Sequence, residues 1–285
     1  MVSLALDHAG RGGKALLLIH GWPETRRIWE RNLEPLAAAG FDVIAPDLRG
    51  FGDSPLGEHY DLAAHARDLK ELLDRLGVDA CACVGGDLGG GAIIDLGLRF
   101  PGTVVRQVLF NCILPLLPDM PETPDRVKQA ADYFARQGRH ADELAAELDT
   151  PDKRRRYIAQ FYGPRFWASP GAFTREDVAF HTEPFADAGK LRAGFGNYES
   201  ALGTRPLSET PLWFEPTPVE TLILHGPDDH VIWPDFPDRA AKACPNHVGP
   251  FVVPRAGHFL QWEQADVLNG AVTAFLRDLL GKRVR

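Results

Sequence analysis

A short apolar run, Ala80–Val84 (ACACV), passes directly into Gly85-Gly86-Asp87-Leu88-Gly89, and helical spacing begins at Leu88. This junction constrains the chain more than any other segment. A strand that turns so sharply into a helix forces its central residue into a strained backbone conformation. Small residues two positions before and after avoid the clashes, which gives the spacing G-x-Nuc-x-G. Gly85, Asp87 and Gly89 fit it. The turn lifts the Asp87 side chain above the sheet, beside a helix N-terminus where the Leu88 N–H is free to bind developing negative charge. A dinucleotide fingerprint needs G-x-G-x-x-G and a phosphate loop needs G-K-[ST]; GGDLGGG supplies neither. By itself the segment admits two readings, a nucleophile or an aspartate capping the helix Leu88–Phe100.

The rest of the chain supplies a setting. Ala15–Ile19, Phe41–Ala45, Ala80–Val84 and Val104–Phe110 read as strands, the most apolar of them as buried on both faces. Helical patterns lie between them at Glu24–Ala39, Leu62–Leu76 and Leu88–Phe100. Such alternation predicts a parallel sheet with right-handed crossovers. From Pro115 to Pro218 there are prolines and helical segments but no buried strand. Strands then resume at Thr221–Leu224 and Pro250–Val253, with helices near Arg239–Ala243 and at Ala265–Leu280. The economical organisation is a core of residues 1–114 and 215–285, interrupted by a helical insertion of residues 115–214.

Composition narrows the partners. Thirty-one Lys and Arg against 39 Asp and Glu give a net charge of −8, which argues against a nucleic-acid partner. The run Lys153-Arg154-Arg155-Arg156 reads as a solvated helix face. The N-terminal MVSLALDHAGRGG lacks the marks of a signal peptide, and no apolar run approaches the ~20 residues that span a bilayer. Cys81 and Cys83 read as small strand residues, not a zinc pair, and no metal is expected. The expectation is a soluble protein of a reducing cytoplasm; a homodimer is left open.

Four further motifs stand at strand ends: His20-Gly21-Trp22-Pro23, Asp47-Leu48-Arg49-Gly50-Phe51-Gly52-Asp53-Ser54, Gly226-Pro227-Asp228-Asp229 and Ala256-Gly257-His258-Phe259-Leu260. With the Asp87 turn, this ordered set resembles the α/β-hydrolase superfamily over nearly the whole chain. The acid at the turn, with His20-Gly21-Trp22-Pro23, resembles the epoxide hydrolase and haloalkane dehalogenase branch. The resemblance implies a mostly parallel, doubly wound sheet with the insertion as a helical lid. It also implies Asp87 as nucleophile, His258 as base, and the backbone N–H groups of Trp22 and Leu88 as an oxyanion hole. The family's Gly-x-x-Asp pattern, counted from Gly226, makes Asp229 the orienting acid and leaves Asp228 as a turn residue. Asn111 stands at the other family location for this acid. His20, Asp47 and Asp53 read as turn-shaping residues, and Pro23 is expected after a cis bond. Few residues precede the His20 strand, so the family's leading hairpin is expected to shrink to one strand, Val2–Leu6. No cofactor is implied.

The chemistry fits these residue types. A carboxylate with an ordinary pKa near ~3.9 is anionic at pH 7 and attacks an sp³ carbon without help, leaving an ester on the enzyme. Histidine then activates water against that ester, and a second carboxylate holds the imidazole in its productive tautomer. A halide leaves as a weak base, and the dehalogenases typically place a Trp after the nucleophile; here it is Leu88. An epoxide opens to an alkoxide, which needs a proton that tyrosine can supply. Leu191, Phe195, Tyr198 and Leu202 form a helical stripe, and the segment resembles the one carrying the family's second lid tyrosine. Tyr133 lies 46 residues past Asp87, near the family's first ring-opening residue, at the border of a Val127, Ala130, Ala131, Phe134 stripe. His181 is its rival, as donor or substrate contact, and packing is expected for Tyr157 and Tyr162. Trp22 is expected to line an apolar pocket. The resemblance therefore implies an epoxide hydrolase acting on a small apolar epoxide and water. A haloalkane-type dehalogenase with the same triad and a non-catalytic ligand-binding member of the fold are the alternatives.

Overall fold

The computed structural model describes residues 3–10, 12–120, 132–164, 167–210, 212 and 214–280. Val2, prolines 121, 124 and 211, and the stripe residues Val127, Ala130 and Ala131 lie outside them. Among the described residues the strands are β1 Leu6–Ala9, β2 Lys14–Ile19, β3 Phe41–Pro46, β4 Cys81–Gly86, β5 Val104–Cys112, β6 Thr221–His225 and β7 His247–Val252. They form one sheet in the order β1-β3-β2-β4-β5-β6-β7. Only β1 is antiparallel, pairing with β3 from Leu6↔Pro46 to Ala9↔Val43. Every residue of β4 and Leu16–Ile19 of β2 are buried, because helices cover both faces of the interior strands.

The helices are α1 Leu33–Ala39, α2 Leu62–Arg75, α3 Asp87–Arg99, α4 Asp132–Arg139, α5 Ala141–Glu147, α6 Pro151–Ala159, α7 Arg175–Thr182, α8 Ala188–Ala201, α9 Phe236–Ala243, α10 Leu260–Glu263 and α11 Ala265–Phe275. The crossover through α1 carries the chain toward β1, and those through α2 and α3 carry it the other way. Right-handed crossovers therefore put α1 on one face, where it meets α11, and α2 and α3 together on the other. This reversal sets the carboxyl ends of β2 and β4 side by side, with Ile19 opposite Gly85. An open α/β sheet receives its ligand at such a point. Between β5 and β6 the described elements are helices α4–α8 and short 3₁₀ turns.

Several elements differ from the sequence expectation. The helix expected at Glu24–Ala39 is a 3₁₀ turn, Arg26–Trp29, followed by α1. Pro35 has no N–H to donate, so it is tolerated in the first turn of α1 but not inside a longer helix. The leading strand is Leu6–Ala9, not Val2–Leu6, because Ala5 is occupied by the β3 loop: its O accepts from Asp47 N and its N–H donates to Ser54 Oγ. The last helix ends at Phe275 and gives way to a 3₁₀ turn, Arg277–Leu280. Arg154 departs from its solvated run. It is buried and donates to Ala186 O at 2.7 Å and Leu148 O at 2.9 Å, tying α6 into the insertion.

Candidate active site

Asp87 opens α3 with a φ of +45°, in the left-handed region that few non-glycine residues adopt. The glycines around it are sterically required. A Cβ on Gly89 would stand 2.2 Å from Ile19 O, and one on Gly21 would stand 2.5 Å from the Asp87 Cβ. Trp22 N–H donates to Asp87 Oδ1 at 2.7 Å, across a turn whose Trp22–Pro23 bond is cis. The Leu88 N–H lies in the first turn of α3, where backbone donors lack intrahelical partners.

The other Asp87 oxygen, Oδ2, faces His258 Nε2 at 3.5 Å, an ion-pair distance longer than a good hydrogen bond. His258 Nδ1 meets Asp229 Oδ2 at 2.8 Å. Asp229 Oδ1 accepts from Val231 N at 2.8 Å and Ile232 N at 3.2 Å, so both carboxylate oxygens are committed. Burial alone would lower the His258 pKa, but Asp229 and Asp87 outweigh it and hold the imidazole well above its ordinary value. The ring lies between two carboxylates, and Nε2 has no hydrogen-bond partner among the described residues.

Backbone and amide contacts set these loops against each other. Asn111, at φ +38°, donates to Gly257 O at 2.7 Å and accepts from Gly226 N at 3.0 Å. It staples the acid loop to the histidine loop. Asp228 accepts from Ser169 Oγ of the insertion at 2.7 Å. His20 bridges Gly21 O and Leu48 N, and Asp47 accepts from Arg26 N and Asp53 N, so both shape turns.

The insertion covers the carboxylate with aromatic rings. Trp22, Tyr133 and Tyr198 touch pairwise, with centroid separations of 5.2 to 6.3 Å. Burial, then the Asp87 charge, raises the Tyr133 pKa; burial, then Tyr133 and Asp87, raises that of Tyr198. Both hydroxyls therefore stay protonated through the neutral range. The four tyrosines of the insertion divide by hydrogen bonding. Tyr157 O–H accepts from Gln137, and Tyr162 O–H donates to Pro23 O at 2.7 Å. Among the described residues the hydroxyls of Tyr133 and Tyr198 have no partner.

The structure does not bring His181 into this group. Its ring packs among Tyr162, Phe173, Phe180 and Trp262, with the Trp262 centroid at 4.3 Å. The signal that placed it, a histidine in the insertion, carried no information about which layer it joins.

Three residues near the site were missed in the sequence. Trp167 lies 4.4 Å from the His258 ring, and its indole N–H, like that of Trp22, is buried without a partner among the described residues. Glu24, read as a helix start, is buried beneath the Trp22 turn, accepting from Gly21 N at 2.7 Å and Gln261 Nε2 at 3.0 Å. Burial pushes its pKa up to about 7. Glu263 accepts three backbone N–H groups around His258. Among the described residues no cluster of His, Cys, Asp and Glu is arranged to hold a metal, and no helix is long and apolar enough to cross a membrane.

Comparison with known proteins places this geometry among relatives. The family described as alpha/beta hydrolase fold matches residues 14–265. Epoxide hydrolase 4 of Mus musculus is 26% identical over 277 residues, covering 95% of this chain and 75% of that protein. The soluble epoxide hydrolase of Corynebacterium sp. (strain C12) is 31% identical over 194 residues, 67% of this chain and 66% of its own. The solved structure of epoxide hydrolase CorEH without ligand superposes with a TM-score of 0.85 at 24% identity, covering 98% of this chain and 99% of that one. This last likeness is one of fold.

Proposed function

Because the chain belongs to the α/β-hydrolase family and carries a carboxylate at its strand-to-helix turn, we propose that it is an epoxide hydrolase working through a covalent ester. The observation that carries the reading is Asp87 acting electrostatically on two tyrosines whose hydroxyls have no partner among the described residues. Asp87 Oδ1 is held by Trp22 N–H, so Oδ2 attacks an epoxide carbon and the C–O bond breaks. The departing oxygen takes a proton from Tyr198 or Tyr133. Esterification removes the Asp87 charge, one of the two that hold the His258 ring protonated. The ring proton can then return to the tyrosinate, which leaves His258 a neutral base when water must be activated. His258 takes a proton from water, the hydroxide adds to the ester carbonyl and the Trp22 and Leu88 N–H groups hold the oxyanion. As the intermediate collapses the ester C–O bond breaks and the added hydroxyl's proton passes to the departing alkoxide, which releases the diol with the Asp87 carboxylate and the protonated His258 ring restored. Asp229 keeps the imidazole oriented throughout. The substrate class is a small apolar epoxide, since the site is walled by Trp22, Trp167 and the tyrosines.

The test is to mix His258→Gln with an epoxide. The protein mass should rise by that of the substrate, with the added mass on the peptide containing Asp87. Asp87→Asn should form no adduct. In the intact protein a single turnover in ¹⁸O-water should give an unlabelled diol, the oxygen having come from Asp87; label in that diol would mean direct attack by water. The Trp22 and Trp167 indole N–H groups, without partners among the described residues, also suit a halide, so a haloalkane belongs in the same panel. Halide release without diol formation would replace the epoxide reading with a dehalogenase, and neither adduct nor turnover on any substrate would indicate a ligand-binding protein.

A further inference from the structure

One half-buried side chain that takes no part in the chemistry above gathers the backbone donors of the histidine loop. Glu263, at the end of α10, reaches back over its own helix. Its Oε2 accepts from Gly257 N at 2.6 Å and from Ser169 N at 3.0 Å, and its Oε1 accepts from Phe259 N at 3.0 Å. Gly257 and Phe259 flank His258. The third N–H of that run, on His258 itself, donates to Trp167 O at 2.8 Å. A Cβ on Gly257 would stand 2.5 Å from Trp167 O and 2.6 Å from Ser169 N, so the insertion's Trp167–Ser169 segment lies directly on the loop. Three consecutive backbone donors are thus fixed by one carboxylate and one carbonyl of the insertion.

We propose that Glu263 is a positioning residue for His258: its carboxylate sets the register of the histidine loop and fastens the Trp167–Ser169 segment to it. A carboxylate suits this task because it offers two acceptor oxygens to three donors, where an amide offers one. The loop then holds the imidazole at 2.8 Å from Asp229 while Nε2 stays turned to Asp87. Burial raises the Glu263 pKa, opposed by its three backbone donors and by His258; Asp229, Asp87 and the buried Glu24 also act with the imidazole, with Tyr133 and Tyr198 near Asp87.

The test compares Glu263→Gln with the intact chain in two ways. The first needs no substrate: the His258 imidazole is titrated by NMR with ¹⁵N-labelled histidine. Losing a charge and an acceptor should move its titration to lower pH and shift the Nδ1–H resonance. The second rests on the ester mechanism proposed above. Ester formation on Asp87 should keep its rate, while ester hydrolysis slows roughly tenfold to hundredfold, as a misplaced base would dictate. Gln264→Ala removes an exposed bond to Arg255 O on the same loop and should leave both readings unchanged. If Glu263→Gln fails to fold, Glu263→Asp, with two oxygens on a shorter arm, should show the same changes at smaller size. A His258 titration identical to that of the intact chain, in either folded variant, overturns the proposal, as does equal slowing of both steps with lost thermal stability alone. If the intact chain forms no ester, the mechanism fails and the titration still decides the role of Glu263.

Discussion

Two of the buried histidines, His258 and His181, lie in opposite electrical surroundings. His258 sits between Asp229 and Asp87, and their charges outweigh burial and raise its pKa. His181 sits in an aromatic layer of the insertion, where burial, opposed only by Asp177 and reinforced by Arg27 and Arg31, drops its pKa to about 3. Both ring nitrogens of His181 lack partners among the described residues. Burial alone therefore does not make a reactive histidine. What distinguishes His258 is a pair of acceptors placed by loops that are themselves fixed.

The same substitution at the two positions tests this contrast most severely. His258→Phe should slow ester hydrolysis by ~10²–10⁴, the usual worth of a general base. It also strands the buried Asp229 carboxylate, which should cost about 3 kcal/mol of stability despite the remaining Val231 and Ile232 N–H bonds. Hydrolysis is followed by the lifetime of the ester, and stability by urea unfolding. A His258→Phe protein that hydrolyses its ester at the normal rate would erase the distinction between the two sites.

The tyrosines offer a second pair. Tyr198→Phe removes a hydroxyl with no partner among the described residues, so ring opening should slow at least tenfold, acid catalysis typically being worth ~10²–10⁴, while the melting temperature holds. Tyr162→Phe removes the bond to Pro23 O. It should cost about 1 kcal/mol of stability and leave the rate of ring opening largely intact. Single-turnover kinetics and thermal melts on both variants separate the cases; reversed outcomes would exchange the roles of the two residues.

Glu24 carries the contrast to carboxylates. Its folded pKa is raised from 4.5 to about 7, so the stability it contributes is fully present below 4.5 and is lost as pH rises through 7. A shift of that size corresponds to about 3 kcal/mol. Glutamine mimics the protonated acid, and turning the Gln261 amide over lets the new amide donate to Gln261 Oε1, which has no partner among the described residues. Glu24→Gln should match the intact chain near pH 4.5 and exceed it in stability by a few kcal/mol at pH 8. Parallel unfolding curves at both pH values would show that Glu24 is ionised without cost.

How much of this was legible in the sequence follows from the range of each contact. The Asp87 turn needs Gly85 against Ile93 and Gly89 against Ile19 O, but both glycines sit within two residues of Asp87, so the spacing itself is a local signature. Strand alternation was equally readable, because β2 and β4 are buried on both faces and must be apolar throughout. Tyr198 lay on a stripe with the period of its own helix. Glu24 and Glu263 were invisible for the opposite reason. Their partners are backbone N–H groups, which leave no mark in the sequence, and the break before α1 turned on the single residue Pro35. Tyr133 and His181 could not be ranked, since what separates them is which aromatic layer each enters.

His181→Phe is the gentlest of these tests and the sharpest on that last point. Phenylalanine keeps an aromatic ring against Tyr162, Phe173 and Trp262 and removes two nitrogens that have no partners among the described residues. At pH 8 the change in stability should lie within ~1 kcal/mol, because an unsatisfied polar group exchanged for an apolar one of similar shape is close to neutral. Acid should separate the two proteins. A histidine whose folded pKa is about 3, against 6.5 when unfolded, takes up protons on unfolding, so the intact chain loses stability as pH falls below 6.5. By pH 5 that loss is about 2 kcal/mol, and the variant should be spared it. Epoxide turnover at pH 8 should not change, because His181 packs against none of Trp22, Tyr133 or Tyr198 among its ring contacts. A tenfold loss of ring opening in His181→Phe would instead make His181 the proton donor and move Tyr133 to a packing role.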